Sequence, residues 1–412
     1  MIKFTYTFLL FIFITVLKAQ VMWQFDKDSL ITWYYQGGDE FSDDKLNTNY
    51  WNDWYGWARS ITNNKEQQYY TTYKNHFLKD GKLILTAKRQ DMYERYVDWM
   101  GDNDSIINDG SFYGLNKRKF TYSAGMIQSH KDFQYGYFEI KFKIPKEKGF
   151  WPAFWLYGAT PNEEIDWMEL KTEKPNQIHV GRHCQKKTDN YTKTLFGKKV
   201  WGDWVKFEGS LNEGYNVIAG IWTANCLKYY LNGECIAITY VDMKHPKKLV
   251  ANIAVSSDKG AYSPGPRKDF KDSVNFEIDY IRVWDRNDLL AKRMSKSSST
   301  AKEPVTGVEK IASSSLVSRS KLHYGKKTLH ENEGFFASLM PQSGSKYQLT
   351  VLGKDIPKDG TVILKDDSGK IISETLLRYG ITTYDLLGYQ GMVLKLTIKA
   401  LGKEANYNIT VN

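Results

Sequence analysis

The sequence predicts an all-β protein: a two-sheet sandwich over most of its length, followed by a second, smaller β-sandwich-like unit at the C-terminus. Three observations carry this. Apolar and polar residues alternate with period two in segment after segment. Aromatic residues make up 15% of the 412 residues, with Trp 13 and Tyr 28, a load that suits strands better than helical bundles. No long helical period interrupts the strand-like runs, and the chain is long enough to bury a large core in more than one domain.

In chain order, residues 1–20, "MIKFTYTFLLFIFITVLKAQ", combine an early Lys, a short apolar run and a small-residue end. This reads as a secretory signal peptide, too short in its apolar part for a membrane span. No later segment is long and apolar enough to cross a bilayer, so the reading is a protein exported to the periplasm, cell surface or medium without stable membrane insertion, and a monomer. Residues 21–287 form the main domain. Its strands include "GKLILTA", "YFEIKFKI", "YNVIAGIW", "LKYYLNGECIAI" and "NFEIDYIRVW", separated by Gly, Asn, Asp and Pro turns. In "YFEIKFKI" Phe138, Ile140, Phe142 and Ile144 share one face, and Glu139, Lys141 and Lys143 the other. Asn232-Gly233 reads as a two-residue hairpin that sets Cys235 opposite Tyr230, so the three cysteines, Cys184, Cys226 and Cys235, read as buried thiols. Residues 288–333 are a Ser- and Lys-rich linker, and 334–412 a small accessory β domain with "KYQLTVLG", "GTVILKDDSGKII" and "MVLKLTIKA". The net charge is +10, with most of the excess after Asp288 or in the first residues; no compact basic patch with a binding motif supports nucleic acid as a partner.

The chemistry-bearing stretch is "EEIDWMEL", residues 163–170. Carboxylates in an apolar run are costly unless paired or facing a cleft. A helix cannot gather Glu164, Asp166 and Glu169 on one face. On a strand Glu164 and Asp166 share a face and Glu169 falls one residue late, and a single-residue β-bulge brings it back. Three carboxylates then stand in a row.

The surrounding blocks, "EQQYYT" (66–71), "DGKLILTA" (80–87), "YSAGMIQSHKDFQYGYFEIKFKIP" (122–145), "GFWPAFWLYG" (149–158), "EIDWME" (164–169) and "FEIDYIRVW" (276–284), resemble glycoside hydrolase family 16 in content and order. The resemblance implies a β-jelly-roll endo-glycanase. In it Glu164 is the nucleophile, Glu169 the acid/base and Asp166 the residue between them, in a retaining mechanism. It also implies substrate contacts from Trp151, Trp155, Asn64, Glu66 and His183. No cofactor is needed for the chemistry, but a structural Ca²⁺ held by Glu40 and Asp279 is implied by the family pattern. The segment from Lys88 to Phe120 reads as an enlarged loop offering Tyr93, Tyr96, Trp99 and Tyr113 as stacking platforms.

The substrate expectation is a β-linked polysaccharide, first β-1,3- or mixed-linked glucan, then agar or a related red-algal galactan. A transglycosylase of the same fold commonly lacks the bulge residue, and a lectin on this scaffold would be expected to have lost a carboxylate, whereas all three stand here. Gly37–Phe41 spells "GGDEF", the signature of diguanylate cyclases. That motif belongs inside an α/β domain, and here strand-like aromatic sequence surrounds it.

Overall fold

The computed structural model describes residues 20–108, 111–159, 162–184, 193–195, 198–224, 226–241, 243–286, 310–312, 322–323, 334–342, 345–353 and 355–410. The expected signal peptide lies outside the described residues except for Gln20, as does nearly all of the expected linker. Among the described residues there is no α-helix, and no helix is long and apolar enough to cross a membrane.

Two large antiparallel sheets form a jelly-roll sandwich. One runs Glu234–Tyr240, Cys226–Leu231, Asn216–Trp222, Gly136–Lys143, Ser273–Arg286 and Leu30–Asp39, with Leu83–Arg95 pairing to the start of the long strand Ser273–Arg286. The other runs Lys193–Leu195, Lys198–Phe207, Gln177–Cys184, Asn162–Glu169, Phe150–Ala159, Lys247–Val255, Met126–Phe133 and Trp51–Asn52. Between them lies one apolar core in which Phe138, Ile140 and Phe142 meet Phe154, Ile165, Trp167 and Ile253, all 0% exposed. The alternation in "YFEIKFKI" is therefore borne out on its apolar side. On the polar side Glu139 and Lys141 are buried as well.

The C-terminal unit explains part of that cover. Val21–Asp26 pairs with Leu30–Tyr34 on one edge and with Gly334–Leu339 on the other, so the first sheet continues into Lys346–Gly353 and Gly380–Asp385. A four-stranded sheet, Ile371–Leu376, Thr361–Lys365, Val393–Ala400 and Lys403–Thr410, closes this second sandwich. Period-two alternation splits the strand Gly334–Pro341 between two tasks. Phe335, Ala337 and Leu339 join Val21, Trp23, Phe25, Leu349, Leu396 and Ile398 in the second core, whereas Phe336 and Met340 pack with Met22 onto Trp33, Tyr137, Tyr230 and Trp284 of the main sandwich. The first strand of the main domain thus contributes to the core of the C-terminal unit.

The Asn232-Gly233 hairpin forms as predicted, with both residues at positive φ and Tyr230 opposite Cys235. The segment Lys88–Phe120 is not an open loop. Leu83–Arg95 and Lys117–Ala124 extend as a paired ribbon, and Ser105–Asn108 pairs with Ser111–Leu115 beyond it. Tyr93 and Trp99 are exposed there, Tyr96 is buried, and the Tyr113 side chain lies outside the described residues. A polar cavity of about 380 Å³ beside the ribbon is lined by Tyr69, Tyr93, Arg95, Asp98 and Lys117, among others, and by none of the three carboxylates.

Candidate active site

The strand Asn162–Glu169 pairs on both edges, and both partners record the same irregularity. Against Phe150–Ala159 the register runs Trp155 to Asp166 and then Phe154 to Met168, skipping Trp167; against Gln177–Cys184 it shifts between Asp166 and Glu169. This is the bulge that the spacing predicts. Its inner side is anchored by Trp167, 0% exposed, packed between Phe138 and Tyr229. Room for that indole exists because the strand Asn216–Trp222 of the facing sheet carries Gly220, where an added Cβ would overlap the ring.

The outer side carries the acids. Directly opposite Glu164, Asp166 and Glu169 on the next strand stand His183, Gly181 and His179. His183 Nε2 lies 3.4 Å from Glu164 Oε1 and 3.6 Å from Asp166 Oδ2. His179 Nδ1 lies 2.8 Å from Glu169 Oε2. Glu164 and Glu169 keep partial exposure, 27% and 14% of their side chains, but Asp166 keeps only 3%. Burial first, and then the charges of Glu164 and Glu169, push the Asp166 carboxyl well above the usual range. A protonated Asp166 beside Glu164 can donate a hydrogen bond to the Glu164 carboxylate and hold it in place. Glu164, Asp166 and His183 are also, among the described residues, the one group of three whose potential metal-ligating atoms lie within 4.8 Å of one another.

Around Glu169 the walls are aromatic. Burial first, and then the nearby charge of Glu169, hold the Tyr262 hydroxyl far above its ordinary value, so it remains a donor. Tyr262 stacks on Trp151 with ring centroids 3.8 Å apart and meets Trp204 at 5.6 Å. The Trp151 indole N–H is buried and makes no hydrogen bond. Trp155 shares the acids' face, but it is sealed under Tyr55 and donates to Asn252 Oδ1 at 2.8 Å, so it is floor and core, not an open platform. Glu66 accepts from Asn64 Nδ2 at 3.1 Å, from the Ile61 amide and from Gln68. Burial first raises its pKa to about 7, and the nearby charge of Glu169 raises it too. Asn64 is bonded to Glu66, and the charge of Glu169 acts on Glu66, so this pair lies near Glu169.

The implied calcium pair does not fit a cation. Glu40 accepts from Arg282 Nε at 2.7 Å and Nη2 at 2.8 Å, and Asp279 pairs with Lys141 Nζ at 2.9 Å. Both acids are already neutralised by largely buried side-chain cations that would repel Ca²⁺. Glu40 instead faces the C-terminal unit, where Gln348 also accepts from Arg282 at 3.0 Å.

His179, Trp204 and Tyr262 are site residues that the sequence reading missed. The signal for the first was available, since a period of two puts His179, Gly181 and His183 on one face. Trp204 stands opposite His179 in the pairing of Gln177–Cys184 with Lys198–Phe207, and Tyr262 lies in a loop. Neither relation has a local sequence pattern.

With this geometry in place, the comparison with known proteins is decisive about kinship. The model of glycosyl hydrolases family 16 matches residues 63–282, which is more than half of the chain. The chain belongs to that family. Two curated relatives are endo-1,3-1,4-beta-glycanases of Rhizobium meliloti (strain 1021). ExsH is 28% identical over 171 residues, covering 40% of this chain and 34% of its own length; EglC is 26% identical over 253 residues, covering 57% and 47%. The chain thus spans from about a third to a half of the length of these relatives. A solved structure described under "Prominent members of the human gut microbiota express endo-acting O-glycanases to initiate mucin breakdown" shares the fold, with a TM-score of 0.50, 23% identity, and coverage of 65% of this chain and 95% of its own.

Proposed function

We propose that the protein is a secreted, endo-acting glycosidase that cleaves β-1,3- or mixed-linked glucan with retention of configuration. The observation that carries this reading is the bulged strand that sets Glu164, Asp166 and Glu169 on one face. Glu164 attacks the anomeric carbon while Glu169 protonates the leaving oxygen; water then enters, gives its proton to Glu169 and displaces Glu164. Asp166, whose carboxyl burial pushes well above the usual range, can hold Glu164 by a hydrogen bond from its protonated form. Trp151, Tyr262 and Trp204 form an aromatic wall beside Glu169 on which a sugar ring can stack. The linkage follows the printed activities of the relatives, endo-1,3-1,4-beta-glycanases and glucan endo-1,3-beta-glucosidases.

The test is reducing-end release from laminarin, lichenan, agarose, porphyran and carrageenan, with ¹H NMR of the first product formed. Laminarin or lichenan should be cut to oligosaccharides whose new reducing ends are initially β. Cleavage of agarose alone would move the substrate to the galactans, and an initial α anomer would overturn the retaining mechanism.

A further inference from the structure

We propose that His179 is the positioning residue of the acid/base: a ring held in a slot of two glycines that keeps one oxygen of Glu169 occupied, so that the other carries the proton to the glycosidic bond. The proposal rests on the reading of Glu169 as acid/base.

Three observations carry it. First, His179 and Glu169 are directly opposed in the pairing of Gln177–Cys184 with Asn162–Glu169, and Nδ1 lies 2.8 Å from Oε2. The contact is set by the strand register and not by a wandering side chain. Second, the ring sits where two adjacent strands have no side chains. Gly181 and Gly202 are paired with each other; a Cβ at Gly202 would come within 2.7 Å of His179 Nε2 and 2.8 Å of Cε1, and one at Gly181 within 3.4 Å of Cε1. Nε2 therefore abuts backbone, and Nδ1 is the nitrogen that faces the carboxylate. Third, the ring is fenced by Trp204 at 5.3 Å and Tyr262 at 6.2 Å.

The chemical need is clear. A Glu side chain has three rotatable bonds, and a general acid must place its proton within hydrogen-bond reach of the leaving oxygen. In the first step a Glu164 oxygen bonds to C1, the C1–O bond to the departing sugar breaks, and that oxygen takes the proton from Glu169. A sugar alkoxide leaves poorly without this proton, whereas an activated phenolate leaves without help. Loss of positioning should therefore be costly only for the poor leaving group.

The experiment compares kcat/KM for a soluble glucan oligosaccharide and for a dinitrophenyl glycoside of the same sugar, in His179→Ala, His179→Asn, Gly202→Ala and Glu169→Gln. Circular dichroism melting of each variant verifies the fold. His179→Ala should lose about 10- to 100-fold on the oligosaccharide, a fraction of what general acid catalysis supplies, and only a few-fold on the activated substrate. His179→Asn places an amide N–H near the Nδ1 position and should recover most of the loss. Gly202→Ala pushes the ring and should resemble His179→Ala. Equal losses on both substrates, or no recovery in His179→Asn, would overturn the role of His179. If Glu169→Gln itself shows no leaving-group dependence, the acid/base assignment falls and this proposal falls with it. If Glu169→Gln shows it and His179→Ala does not, only the role of His179 is lost.

Discussion

Ending the chain at Trp284 tests whether the main sandwich stands alone, and the structure changes the expected result. From sequence, residues 334–412 look like a dispensable accessory domain. In the fold, that cut removes Phe335, Phe336, Ala337, Leu339 and Met340 from beside Val21–Asp26 and bares Met22, Trp33, Tyr137, Tyr230 and Trp284. Val21, Met22 and Phe25, now 1%, 0% and 0% exposed, would each lose much of a burial worth about 1.5–3 kcal/mol. Together that approaches 5 kcal/mol or more, against a total stability of about 5–15 kcal/mol for a typical domain. The stacked Phe25–Phe335 pair, 4.7 Å apart, and the Phe336 contacts with Tyr137 and Tyr230 are lost in addition. The truncated chain should melt well below the full-length protein, bind a hydrophobic dye and be nicked by protease near its N-terminus. Removing residues 21–29 as well should recover part of the solubility, because Trp23 and Phe25 go with them. A chain ending at Trp284 that melts with the intact protein would refute the claim that the second unit completes the first.

Gly220→Ala should destabilise the fold by about 1–3 kcal/mol in urea titration, because the new Cβ overlaps Trp167. Since Trp167 anchors the bulge, kcat should fall further than the folded fraction does, and a variant with intact kcat would separate the bulge from the chemistry. Glu66 has a native pKa of about 7 against an ordinary 4.5, so the native state keeps a proton that the unfolded chain releases. Stability should therefore fall as pH rises from about 4.5 to 7. Glu66→Gln should gain up to about 3 kcal/mol over the parent at pH 8 and nothing at pH 4, as read from urea titrations at the two pH values. Equal differences at both pH values would show that the charge of Glu66 is not the cause.

What was legible in the sequence is what local periodicity encodes. The two-residue period exposed the strands, and the one residue by which Glu169 departs from it exposed the bulge and with it the row of three carboxylates. The hairpin at Asn232-Gly233 was legible because both positions demand positive φ. What pairing across the sheet decides was not legible. Tyr262 reaches Glu169 from a loop 93 residues on, and nothing in "AYSPGP" announces it. Alternation put Glu139 and Lys141 on one face, but it does not report what a distant segment lays over that face. Glu40 looked like a calcium ligand because its partner Arg282 lies 242 positions away, on the last long strand.

Asp166 is the place where burial and mechanism meet most tightly, and its substitution separates two accounts of the acidic row. A carboxyl group with 3% of its side chain exposed between Glu164 and Glu169 cannot share their negative charge cheaply; desolvation is the first cause of its raised pKa and the two neighbours add to it. That direction favours the protonated form of Asp166, and what it then offers Glu164 is a hydrogen-bond donor. Asparagine has the same shape and also donates, so Asp166→Asn should keep kcat/KM within about tenfold of the parent. Asp166→Ala leaves Glu164 without that donor and opens a gap in the buried row, and should lose about 100-fold, since a small misplacement of a reacting group is costly. Both variants should melt near the parent, or above it for asparagine, which cannot ionise at any pH. If Asp166→Asn falls as far as Asp166→Ala in kcat/KM, the row needs a proton that can leave Asp166, and the account of a fixed neutral donor is wrong.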